Sequence, residues 1–86
     1  MLPALQRNER DVEYEARQAI EKLTPREIEI LQVLEEGLDS QQMAERLHIS
    51  LRTERNYMAS ILTKLGLHSQ LQALVFALRH GVVEIH

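Results

Sequence analysis

Eighty-six residues set the size of one small domain, and a 44% hydrophobic content with one Phe, two Tyr and no Trp makes its core aliphatic. No cysteine is present, which excludes disulfides, thiolate metal sites and a cysteine nucleophile. The net charge of −3 is unevenly spread: −1 over residues 1–23, −4 over 24–49, +3 over 50–80 and −1 in the tail.

Residues 1–23 carry a thin apolar stripe. Leu5, Val12, Ala16, Ala19 and Leu23 share one side of a helical wheel, and Pro3 suits a helix start. This pattern predicts an amphipathic linker helix, either packed back on the domain or paired with a partner. Glu9 interrupts the stripe and disfavours an autonomous coiled coil. The remainder, 24–86, reads as the domain proper.

That domain opens on Thr24-Pro25-Arg26-Glu27, a capping box with proline at the first helical position. Apolar Ile28, Leu31, Val33 and Leu34 follow, and Gly37 closes the helix. Asp39-Ser40-Gln41-Gln42 opens a short second helix that turns Met43, Ala44 and Leu47 inward. His48–Ile49 is all that separates it from a third helix, the spacing of a helix-turn-helix. The third runs from Ser50 to Gly66, and Ser69 with Gln72 starts a fourth that reaches Gly81. Val82–Ile85 is the single strand-like run and is very short. The expected fold is therefore all-α: four helices preceded by a linker helix.

The run 50–66 has two faces. At 100° per residue Arg52, Arg55, Asn56, Ala59 and Thr63 fall on one side, and Met58, Ile61, Leu62 and Leu65 on the other. Guanidinium and amide groups with no bulky neighbour are what a helix needs to lie in the DNA major groove and touch base edges. Glu54 breaks the pattern by sitting among the apolar positions. A buried unpaired carboxylate costs several kcal/mol, so a partner or partial exposure is expected for it. Arg46 is the nearest cation in sequence, and a first-turn carboxylate is also favoured by the helix dipole. A third reading, in which Glu54 faces DNA and selects cytosine through the base's amino group, is disfavoured by its wheel angle.

These residues resemble a known family. Leu23-Thr24-Pro25-Arg26-Glu27, Glu36-Gly37-Leu38, Ala44-Glu45-Arg46-Leu47, Ile49-Ser50, Thr53, Ile61, Lys64-Leu65-Gly66 and Ala73 are similar, in order and spacing, to the LuxR-type (GerE-like) helix-turn-helix domain of bacterial transcription regulators. The similarity covers Leu23 to Val83. It implies a four-helix DNA-binding domain whose third helix reads the major groove and whose fourth carries a dimer contact. The domain often sits behind a receiver domain as the effector of a response regulator in a two-component system. The chain departs from the family where Thr-Val-Lys-x-His is common, having Thr53-Glu54-Arg55-Asn56-Tyr57. Gln70 stands where a basic residue is frequent, and Ala59 where Lys or Asn is.

On this basis Arg52, Arg55, Asn56 and Ala59 are the expected base-reading positions, and Ser50, Thr53, Thr63 and Lys64 the expected phosphate contacts. The fourth helix is apolar nearly all round, so Leu71, Leu74, Val75 and Leu78 are the expected dimer face. The implied partners are double-stranded DNA and a second copy, with RNA polymerase a further candidate. The implied location is cytoplasmic, since no apolar run reaches the length of a membrane span. No cofactor or small-molecule substrate is expected, and the four scattered histidines form no metal pattern. No nucleophile–base constellation suggests an enzyme. The competing reading is a protein-interaction module that kept the fold without the DNA function.

Overall fold

In the computed structural model, residues 9–83 are described, and they form five helices in chain order. These are α1 (Glu9–Glu21), α2 (Pro25–Leu34), α3 (Ser40–Leu47), α4 (Leu51–Leu65) and α5 (Gln70–Arg79). The expected helix-starting Pro3 and Leu5, and the end of the strand-like run 82–85, lie outside the described residues.

Each helix after α1 starts at its own capping residue. Thr24 Oγ1 accepts from the Glu27 amide at 3.1 Å while the Glu27 carboxylate accepts from the Thr24 amide at 2.8 Å. Asp39 and Gln42 form the same reciprocal pair at 2.8 and 3.0 Å. Ser50 and Ser69 accept from Thr53 and Gln72. These bonds satisfy amides that a helix N-terminus would otherwise leave open. The sequence therefore marks its helix starts locally.

The helix ends are equally local. α4 stops at Gly66, φ +70°, where Leu67 N–H donates to Leu62 O at 2.9 Å and Gly66 N–H to Thr63 O at 3.3 Å, a Schellman closure. α3 ends the same way, with Ile49 N–H on Ala44 O at 3.0 Å, but the left-handed residue is His48, φ +57°. A side chain at that φ is strained relative to glycine. α2 ends at Leu34, three residues before the expected stop at Gly37, and α1 ends two residues before Leu23. Its last turn tightens, with Leu23 N–H donating to Ile20 O.

α4 is the axial element, packing against each of the other four helices. Ile30 and Leu31 of α2, Met43 of α3 and Ile61 of α4 are fully buried, and Met58, Leu65, Ala73 and Ala77 complete the centre. α1 lies back on α4 through buried Ala16 and half-buried Ala19, the first of the two dispositions expected of it. Among the described residues, no single helix is long and apolar enough to cross a membrane.

Candidate nucleic-acid interface

The outward face of α4 lies where the periodicity places it. Arg52, Arg55, Asn56, Ala59 and Thr63 are all exposed, while Met58, Ile61 and Leu65 are buried. Among the described residues, the side chains of Arg52, Arg55 and Asn56 make no hydrogen bond or ion pair. Their donors are therefore available, on a helix fixed at both ends by caps and along its length by the core.

Ser50 caps the helix with an oxygen that accepts from the Thr53 amide at 3.0 Å, and its hydroxyl donates to Thr53 Oγ1 at 2.9 Å. Both side chains sit at the positive end of the α4 dipole, next to the first-turn amides. Tyr57 is half-buried against the core and, with Thr24, Thr53, Asn56 and Ser60, lines a cleft between the start of α2 and the first turns of α4.

Lys64 is placed differently from its sequence reading. Its ammonium lies 2.6 Å from Glu27 Oε1, while Ser60 donates to Glu27 Oε2 at 2.7 Å. Glu27 is 3% exposed. Burial alone would raise its pKa, but hydrogen bonds from Lys64, the Thr24 amide and Ser60, together with the Lys64 charge, hold it at about 2 against an ordinary 4.5. The geometry thus gives Lys64 an internal partner across the α2–α4 contact. Sequence reasoning identified Glu27 as a capping residue only. The available signal was the i, i+4 pair Ser60 and Lys64, two polar groups beside the apolar face of the third helix.

Two expectations for Glu54 fail. Its side chain is 0% exposed, and neither carboxyl oxygen has a hydrogen-bond partner. The anticipated cation, Arg46, reaches Glu36 instead, because it projects from the exposed side of α3. Only the first-turn position holds. Burial pushes the Glu54 carboxyl up, with the Ser40 hydroxyl and the Arg55 charge pulling the other way. The Ser40 Oγ accepts from Gln70 Nε2 at 2.9 Å and so keeps its own O–H beside the Glu54 carboxyl, where it offsets the burial only in part.

The four apolar residues expected to form a dimer face divide into two pairs. Leu71 and Val75 are 70% and 49% exposed, one turn apart on α5, whereas Leu74 and Leu78 are half-buried against the core. Among the described residues, no group of His, Asp or Glu is arranged to hold a metal ion.

Comparison with known proteins gives a match to the family described as bacterial regulatory proteins, luxR family, over residues 21–77. The chain is also 34% identical over 64 residues to the response regulator protein VraR of Staphylococcus aureus (strain NCTC 8325 / PS 47), and equally to those of Staphylococcus saprophyticus and Staphylococcus epidermidis. The aligned stretch is 74% of this chain and 31% of each relative, so the chain spans about a third of their length.

Proposed function

Since the chain belongs to the luxR family of bacterial regulatory proteins, we propose that it is the DNA-binding effector domain of a transcription regulator, with α4 as its recognition helix. The observation that carries this reading is the outward face of α4. Arg52, Arg55 and Asn56 are exposed together, without internal partners, on the helix that packs against all four others. Arg52 or Arg55 can donate two parallel bonds to guanine O6 and N7, and Asn56 can pair with adenine N6 and N7. Ala59 leaves room for the groove wall or a thymine methyl. Ser50, Thr53 and Thr63 supply hydroxyls for phosphate oxygens, which orient the helix without reading sequence. Lys64, bound to Glu27, acts by holding α4 against α2.

With few free cations, a single copy binds weakly, and the electrostatic part of affinity is small. Two copies joined through Leu71 and Val75 of α5, flanked by Leu74 and Leu78, would present two recognition helices to half-sites about one helical turn apart. The VraR relatives are named response regulators; a place as the effector part of such a regulator, acting in the cytoplasm and in contact with RNA polymerase, is part of this proposal.

A mobility-shift assay on operator-selected duplexes tests the reading. Arg55→Ala and Arg52→Ala should each weaken binding by about 1–3 kcal/mol, roughly 5- to 150-fold, and relax preference at one base pair. If the wild-type domain binds no duplex at low salt yet captures a defined protein partner, the acidic 24–49 surface points to the interaction module instead.

A further inference from the structure

Glu54 is the one fully buried ionisable side chain among the described residues, and its oxygens have no hydrogen-bond partner. It lies in the first turn of α4, beside Ser40 at the start of α3. Among the described residues, no ion pair reaches its oxygens. On α3, Met43, Ala44 and Leu47 face inward, Glu45 and Arg46 are exposed, and Ser40, which accepts from Gln70, keeps a single neutral O–H toward Glu54 that offsets the burial only in part. On α2, the Arg26 guanidinium is held by Glu29 and the Leu47 carbonyl, and Glu27 is held by Lys64 and Ser60. α5 turns Ala73 and Ala77 inward and leaves Arg79 exposed, with the His80 ring tilted against Phe76 at a centroid distance of 4.6 Å. Asp11, Glu13, Glu15 and Arg17 of α1 are exposed. On α4 itself, Arg55 provides opposite charge from the next position but points outward.

An ionised carboxylate in such a place is far more costly than a neutral acid, which leaves at worst an unsatisfied hydroxyl and carbonyl. We infer that Glu54 is a proton-operated joint: the folded domain holds it as the neutral acid, and losing that proton loosens the packing of α3 against α4. Burial raises its pKa in the folded chain above the unfolded value. The folded state therefore binds the extra proton, and stability falls as pH rises from the unfolded carboxyl value through the folded one. α3 and α4 are the two helices of the helix-turn-helix, so the joint that weakens is the one that presents the reading face. That consequence rests on the function proposed above; the proton does not.

The test is thermal unfolding of the intact chain, followed by circular dichroism, between about pH 5 and pH 8, for the wild type, Glu54→Gln and Glu54→Leu. Glu54→Gln is neutral at every pH, so the difference profile against it removes all other titrating groups. The wild-type midpoint should drop relative to Glu54→Gln by about 5 °C or more across the window, and Glu54→Leu should follow the Gln profile at a higher midpoint. Carbon-13 NMR of the glutamate carboxyl carbons reads the proton directly in the wild type, even if a variant fails to fold. The Glu54 signal should titrate at higher pH than every other carboxyl group. Parallel melting profiles, or a Glu54 signal that titrates with the exposed carboxylates, would overturn the inference. Neither readout involves DNA, so the DNA-binding proposal can fail without touching it.

Discussion

Changing Glu27 to Gln isolates the charge that ties α2 to α4. Gln at this position still completes the capping box, so the start of α2 is preserved. What is lost is the carboxylate that accepts from Lys64 at 2.6 Å and Ser60 at 2.7 Å. A carboxyl group held at about 2 instead of 4.5 corresponds to about 3 kcal/mol of preferential stabilisation of the folded state. Lys64 is partly open to solvent, which trims this to about 2 kcal/mol. For a domain of this size, that is a drop in melting temperature of about 8–16 °C at neutral pH. Because the folded pKa is depressed, the contribution is present above about pH 4.5 and disappears as pH falls towards 2. The wild type and Glu27→Gln should thus differ most near neutrality and converge in acid. Melting curves at several pH values suffice. A gap under about 2 °C at pH 7, or one that stays constant into acid, refutes the reasoning.

Three further outcomes are expected. Raising the salt concentration should weaken DNA binding along a shallow log–log slope, and Arg55→Ala should make it shallower still, as read by fluorescence anisotropy. Leu71→Asp should abolish self-association in sedimentation velocity at micromolar concentration while moving the melting temperature by only a few degrees, since Leu71 is 70% exposed. His48→Gly should stabilise the domain by about 0.5–1 kcal/mol, because glycine adopts the observed φ of +57° without strain; an unchanged or lower melting temperature would contradict this.

The helix starts were legible because each depends on residues three positions apart: Thr24 with Glu27, Asp39 with Gln42, Ser50 with Thr53. The outward face of α4 was legible because a capped helix has a fixed angular period. Pairings between helices were not. Glu27 and Lys64 are 37 positions apart, and although Ser60 and Lys64 mark a polar spot beside the apolar face of α4, nothing local says that the first turn of α2 meets it. For Glu54 the wheel gave the correct side, but the expectation of a partner assumed that a buried carboxyl is charged. A neutral acid tolerates the site, which removes the need for Arg46. The end of α2 was placed late because Gly37, φ +80°, belongs to the following turn rather than to the helix terminus.

The lack of internal partners for Arg52 and Asn56 has a consequence for how such a surface changes over generations. Their side chains contribute little to holding the domain together, so replacements at these positions cost at most about 0.5 kcal/mol of stability. New target sequences can then be explored one side chain at a time without eroding the fold. The positions that orient those side chains, Glu27, Ser60 and Lys64, are locked to one another and resist replacement one at a time. Novelty and constraint are thus segregated on the two sides of α4: its outer face is free to drift, and the side tied to Glu27 of α2 must change in concert with it.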